Sequence, residues 1–413
     1  MSKVQGRLAK IFALLVLPIL PASGAHAGGP LALQDDGTPF AWSTAAPIAY
    51  RTDDGPLSAS VAEGAARARV QAMFNVWQNV ASSSISYTRA GFIEAVGVFS
   101  DGDVSNLGEF NAVEGDCGAG NQSPIIYDAD ATIFIALGID ETSVIGFAGP
   151  CAIDPGAGQF VSGRAVMNGL FQDGEDDPVP DLTAAEFDAT FVHEFGHFSG
   201  LDHSQINVEC GFGPCSNDNL AGLPTMFPFL VSATQGSLSI DDIAWISRLY
   251  PAGGASGFAA THGTITGTVF FSDGETHAQL VNVVARLVDN PGTAGVNESR
   301  TTAGSNVSGY KFRLFNGNPI NAASDIFGSQ VPSHIGLYEI SLPPGDYTIE
   351  VESIDAQFVE GSSVGGPVRI PMPGTAPAPI GPITVTAGAT DSGNDVTLIG
   401  TDPRFDQFEG PGP

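Results

Sequence analysis

Eleven consecutive residues, His193-Glu194-Phe195-Gly196-His197-Phe198-Ser199-Gly200-Leu201-Asp202-His203, constrain this chain more than any other stretch. On an α-helix, side chains four apart lie on one face, so His193 and His197 can reach one metal ion while Glu194 projects beside it. Gly200 takes positive φ at little steric cost, which lets the helix stop and the chain turn back. That turn delivers His203 as a third nitrogen ligand. Three protein ligands with an open fourth position is the arrangement of a catalytic rather than a structural zinc site. Zinc lowers the pKa of its water towards ~7, and Glu194 is placed to take the proton as general base. H-E-x-x-H alone recurs by chance; the added glycine and third histidine set this stretch apart. His262, His277 and His334 fall in β-rich sequence and read as loop residues.

Around this motif the pattern is mixed. Apolar residues at helical spacing (Val70, Met73, Phe74, Trp77) predict an amphipathic helix over Ala62 to Val80. Thr183 followed by Glu186 is a capping box that opens a second helix through Phe187, Phe191 and Phe195 into the motif. A third helix is expected from about Ser239, its N-cap, to Leu249, with Asp241 and Asp242 where the helix dipole favours acids. Strands are expected over Pro47 to Arg51, Ile125 to Tyr127, Thr132 to Ile135, Val144 to Ala148 and Arg164 to Met167. After Pro251 the character turns to β. Thr264 to Phe271, Gln279 to Val288, Tyr347 to Val351, Ile383 to Thr386 and Val396 to Ile399 read as strands of an antiparallel sandwich. Gly365 to Pro382 is Pro/Gly-rich and reads as a linker or long edge loops. The fold class is therefore α+β followed by all-β. The expected boundaries are 40–251 for the first domain, 252–261 for a linker, 262–400 for the sandwich and 401–413 for a tail.

Composition narrows the partners. The 413 residues carry 45 acidic and 15 basic side chains, a net of −30. Such acidity argues against nucleic acid or an anionic membrane surface as main partner, since both are polyanions. Lys3, Arg7 and Lys10 precede a short apolar run from Ile11 to Leu20, and Ala25-His26-Ala27 supplies a small-x-small cleavage site. That is a signal peptide over 1–27, too short in its apolar run to span a bilayer, and it predicts a secreted, soluble product. Residues 28–39 form a short N-terminal segment. Cleavage removes three basic residues and no acidic one, leaving 12 against 45, a net of −33. In an exported chain the four cysteines suggest disulfides, and no C-x-x-C spacing supports metal thiolates instead. Pairing the near neighbours Cys210 and Cys215 leaves Cys117 with Cys151, one of three connectivities.

With these residues in view, the stretch from about 40 to 251 resembles the metzincin metallopeptidases, and within them the matrixins. Ser204 follows the motif as it does in that family, and Pro224-Thr225-Met226-Phe227-Pro228 looks like its Met-turn. Ala72 to Trp77 resembles the family's first helix, and Leu238 to Tyr250 its closing one. The resemblance implies a zincin fold, a twisted sheet with three main helices, zinc ligands His193, His197 and His203, general base Glu194, and Met226 as the floor of the site. It places the edge strand at Val144 to Ala148, where a peptide substrate could pair by β-addition, and a specificity pocket lined by Pro228 to Leu230. The family's second zinc uses histidines near that strand. Gly146, Val166 and Asn168 stand there instead, so no second zinc is expected. No cysteine precedes Cys117 in the mature chain, so a cysteine-switch propeptide is not expected either.

Calcium in a structural role is a weaker expectation, with Asp101, Asp103, Asp128, Asp130, Asp173, Glu175, Asp176 and Asp177 as hard oxygen donors. A solvated acidic loop is the competing reading of each cluster. Residues 262–400 resemble the carboxypeptidase-regulatory-like β-sandwich, on Ile265 to Val269, Gly336 to Tyr338, Leu342 to Ile349 and Thr386 to Leu398. The resemblance implies a stabiliser, or an anchor for substrate or a cell-surface polymer. Together these readings predict a secreted zinc endopeptidase acting on protein or peptide substrates. The alternative is an extracellular binding or adhesion protein with a weakly active or inactive metallopeptidase domain.

Overall fold

A computed structural model of the chain describes residues 29–34, 37–204, 222–278, 281–293, 298–309, 332–352 and 375–400. Residues 1–27, expected to be a signal peptide, the expected Cys210–Cys215 pair and the tail 401–413 lie outside the described residues, as does most of 365–382. The molecule is mixed α+β. Its first part runs β1 (Ala41–Trp42), β2 (Ile48–Thr52), α1 (Glu63–Gln78), β3 (Tyr87–Phe92), α2 (Leu107–Gly118), β4 (Pro124–Asp128), α3 (Thr132–Leu137), β5 (Gly146–Asp154), β6 (Gln159–Asn168), α4 (Ala184–Phe198) and α5 (Ile240–Leu249).

These strands form one six-stranded sheet. β3, β2, β4 and β6 lie side by side and parallel, and β1 joins β6 in parallel beyond the end of β4. A sheet of parallel strands is covered on both faces, and every residue of β4 is buried accordingly. Side chains alternate between the two faces. Ile125, Tyr127, Ala165 and Met167 point into one core with α1 and α4, whereas Ile126 and Val166 point into another with α2 and α3. In the first core the aromatic stripe of α4 meets that of α1: the Phe74 and Phe195 rings stack 3.8 Å apart, and Trp77 Nε1–H donates to the Val192 carbonyl at 2.8 Å.

β5 is the exception in direction. It runs antiparallel to β6, from Gly146 opposite Met167 to Asp154 opposite Gln159, and pairs with no other described strand. It starts two residues later than the sequence pattern suggests and extends six residues further. Cys151 on this edge strand is bonded to Cys117 near the end of α2, the expected pairing.

Two local readings need correction. Thr132–Ile135, β-rich in composition, is the start of helix α3 and not a strand. Asp128 accepts from Phe134 N–H at 2.8 Å and Asp130 from Thr132 N–H at 3.0 Å, so the acids upstream satisfy the helix's free donors and override the β-propensity of Ile and Phe. Helix α2 has no counterpart among the predicted elements. Its three glycines weaken the helical signal, and Asn106 starts it by accepting from the N–H groups of Gly108 and Glu109.

The C-terminal part contains α6 (Phe258–Thr261), β7 (Gly263–Phe270), β8 (Asn282–Leu287), β9 (Thr302–Val307), β10 (Leu337–Leu342), β11 (Gly345–Glu352), β12 (Ile380–Val385), β13 (Thr390–Ser392) and β14 (Val396–Thr397). α6 lies within the stretch expected to be linker. The strands make two sheets: β10-β7-β13 with β14 also on β7, and β12-β11-β8-β9. All pairings are antiparallel except those of β13 and β14 with β7. Ile265, Tyr338 and Ile340 of one sheet share an apolar cluster with Val283, Ala285, Tyr347 and Ile349 of the other. Helix α5 lies against this part: Arg248 pairs with Glu339 at 2.8 Å and donates to Ser341 at 3.1 Å. All six residues of β9 are buried, although half are polar.

Candidate active site

Helix α4 begins at the capping box foreseen from sequence. Glu186 N–H donates to the Thr183 hydroxyl, and Thr183 N–H donates back to the Glu186 carboxylate at 2.9 Å. The helix ends as Gly200 allows. Gly200 has φ +88°, its N–H donates to the His197 carbonyl, and Leu201 N–H donates to the Gly196 carbonyl, each at 2.9 Å. This is a Schellman turn, which satisfies two of the helix's last carbonyls and reverses the chain. A Cβ at Gly200 would meet Phe160 at 2.5 Å, so both the conformation and the space demand glycine.

The reversed segment is held by the chain's N-terminal residues. Leu31 N–H donates to the Gly200 carbonyl at 2.7 Å and Asp202 N–H to that of Gly29 at 2.9 Å. His203 thereby comes to face the helix it followed. Its Nε2 stands 3.0 Å from that of His197 and 3.2 Å from that of His193, and the two helix histidines are 3.1 Å apart. All three rings are buried.

A metal ion fits these residues. Nitrogens bound to one ion at ~2.0–2.1 Å lie no more than about 4 Å apart, and all three separations meet that limit. The tautomers agree. His193 Nδ1–H donates to the Thr225 carbonyl at 2.7 Å and His197 Nδ1–H to the Leu201 carbonyl at 2.8 Å. With their protons on Nδ1, both Nε2 atoms present lone pairs to each other, which repel unless a cation lies between. Burial keeps these rings neutral, taking His193 down to about 4 and His197 to about 3, with the neighbouring His193 adding to the latter. A neutral imidazole is the form that binds metal. Among the described residues this is the only group of three or more His, Cys, Asp or Glu side chains gathered closely enough to hold an ion. Several of the acids considered for calcium serve backbone N–H groups, as Asp128 and Asp130 do at α3 and Asp173 does for Glu175.

Glu194 is fully buried, and neither of its carboxylate oxygens has a hydrogen-bond partner. Desolvation pushes its pKa up to about 8. A buried carboxyl without donors is destabilising on its own account, so its retention beside three histidines points to chemistry. Gly146 of the edge strand lies over it, and a Cβ there would touch Glu194 Cγ at 3.1 Å.

Beside His193 and Glu194 opens a small cavity of about 20 Å³. Ile145, Thr190, Phe227, Phe229, Leu230 and Gln235 are among its walls. Pro228, Phe229 and Leu230, expected to line a pocket, do so.

Sequence reasoning missed the support behind this site. Asp242, read only as a helix-dipole acid, accepts from Thr225 N–H at 2.8 Å and Met226 N–H at 3.0 Å, and so fixes the carbonyl that orients His193. Met226 packs under α4 at Gly196, where a Cβ would collide with its sulfur. The signal available in sequence was the pair Asp241-Asp242 itself, whose partners are set by tertiary contact. No family model matches the chain, and no curated protein matches it.

Proposed function

We propose that this protein is a secreted zinc-dependent endopeptidase that hydrolyses peptide bonds of extracellular proteins. The observation that carries the reading is the meeting of three imidazole Nε2 atoms with a buried, partnerless carboxyl at Glu194. Zinc is the ion favoured by three neutral histidines with an open position. When bound, it supplies Lewis-acid chemistry, acidifying a water and polarising a carbonyl.

The chain's own residues do the rest. His193, His197 and His203 hold the ion, and Thr225 and Leu201 hold the first two rings by their Nδ1–H groups. A Glu194 carboxylate oxygen takes the proton of the attacking water as the new C–O bond forms. The same oxygen returns that proton to the amide nitrogen as the C–N bond breaks, leaving a carboxyl and an amine. The free edge of β5 offers backbone N–H and C=O groups to an extended peptide. The neighbouring cavity, far smaller than the usual ~300–1,000 Å³ of a ligand site, leaves room for a small apolar group rather than a large ligand. The C-terminal strands fit the β-sandwich reading, and secretion rests on the expected signal segment.

The test is direct. Residues 28–413 are expressed, zinc is counted per chain, and casein or gelatin cleavage is followed with and without a chelator. One zinc per chain and chelator-sensitive cleavage that vanishes in Glu194→Ala are expected. Cleavage that survives Glu194→Ala would overturn the mechanism, and bound zinc without cleavage would favour a binding protein.

A further inference from the structure

Two consecutive buried carboxylates open helix α5, and they face different partners. Asp242 serves Thr225 and Met226 on the metal side. Asp241 accepts from Ser305 N–H at 3.0 Å, and its carboxyl lies near the Ser204 hydroxyl. Ser305 belongs to strand β9 of the C-terminal part, and Ser204 directly follows His203. The Ser204 and Ser305 hydroxyls are themselves 3.3 Å apart, either one able to donate to the other. A ring of polar contacts thus joins the residue beside the third histidine to a strand 101 positions away.

The ring matters because of where His203 stands. His193 and His197 are fixed by the backbone of α4. His203 follows a turn and belongs to no helix or strand. Its position depends on what grips the chain to either side. Upstream, Gly29 and Leu31 bind Asp202 and Gly200; downstream, Ser204 N–H donates to the Met226 carbonyl at 2.7 Å, and its side chain enters the ring. Ser305 is one of three fully buried polar residues of β9.

We infer that the C-terminal β part is a positioning element of the metal centre, with Ser305 acting through Asp241 and Ser204 to hold His203 in line with the two helix histidines. The inference rests on the metal-binding reading of the three histidines. A merely structural interface would behave differently. The Arg248–Glu339 pair joins the same two surfaces without touching Ser204, and provides the comparison.

The experiment uses the chain 28–413 loaded with Co²⁺. It records the visible absorption bands, the rate of Co²⁺ loss to a chelator, and the thermal midpoint, for Asp241→Asn, Ser305→Ala and Glu339→Gln. Outer partners of metal ligands typically change affinity about 10–100-fold. Asp241→Asn is expected to lose Co²⁺ at least about tenfold faster with shifted bands, and Ser305→Ala to move in the same direction by less. Glu339→Gln is expected to leave bands and loss rate unchanged whatever its thermal midpoint. Wild-type bands and loss rates in both Asp241→Asn and Ser305→Ala would overturn the inference, as would an equal effect of Glu339→Gln. Should Asp241→Asn not fold, Ser305→Ala, which removes one hydroxyl, decides alone. A wild-type chain that takes up no Co²⁺ would overturn the metal-centre reading itself.

Discussion

Glu194 is fully buried, and no N–H or O–H of the described residues donates to its carboxyl. Its carboxyl therefore prefers the neutral form, at about 8 against an ordinary 4.5. Because its folded value is raised, the native metal-free chain binds this proton more tightly than the unfolded chain between those two values. Stability from this group is present below about pH 4.5 and declines as pH rises towards 8. Replacing it by glutamine removes that decline. In chelator-treated protein, the difference in urea midpoint between Glu194→Gln and wild type should grow in favour of the variant from pH 4.5 to 8. A difference that stays flat across this window would show that the carboxyl is solvated in solution. The histidines act in the opposite sense. His193, lowered from 6.5 to about 4, is protonated first in the unfolded chain, so its contribution is lost as pH falls through that range. On the proposed hydrolase reading, metal-loaded Glu194→Gln should keep the metal and lose about 10²–10⁴-fold in kcat, the usual worth of general-base catalysis.

Helix α4 carries most of what was legible in advance. The capping box, the phenylalanine stripe, the paired histidines and the terminating glycine each state a local requirement, and local requirements survive into the fold. Gly196 shows where local reasoning stops. Within the motif it is a variable position, yet a side chain there would strike Met226 and approach Trp77 at 2.9 Å. Overpacking a buried contact costs about 1–3 kcal/mol. Gly196→Ala should lower the denaturation free energy by that amount, despite alanine's better helix propensity. A stabilised variant would show that Met226 can move aside. Helix α3 failed in the reverse way: Ile133 and Phe134 suggest a strand when read alone, and two upstream aspartates make them helical by capping.

At the scale of the molecule, three long-range ties set the site's surroundings. The Cys117–Cys151 bond fastens the free edge strand β5 to helix α2 across 34 positions. Buried beside it, Arg164 pairs with Glu114 at 3.1 Å. Loop closure of this length is worth about 3–4 kcal/mol in the chain-entropy account. The double variant Cys117→Ser, Cys151→Ser should lose stability of that order by chemical denaturation, and a loss under about 0.5 kcal/mol would contradict it. The other two ties are the N-terminal segment at Gly200 and Asp202, and the contact of β9 with Asp241.

By itself the sequence determined the three histidines, the glutamate between the first two, the glycine turn that returns the third, and the mixed α+β character with a β-rich end. Each follows from spacing along one helix or one turn, where neighbours in sequence are neighbours in space. Only the tertiary structure decided which carbonyls fix the imidazole tautomers, which carboxylate supports Thr225 and Met226, and how β9 comes to lie beside Ser204. Those partners sit from 4 to 101 positions apart, and most are backbone atoms identical in every residue. A carbonyl or an N–H carries no mark in the sequence of what it will bind. Burial alone gives such a group its partner, and burial is a property of the packed chain.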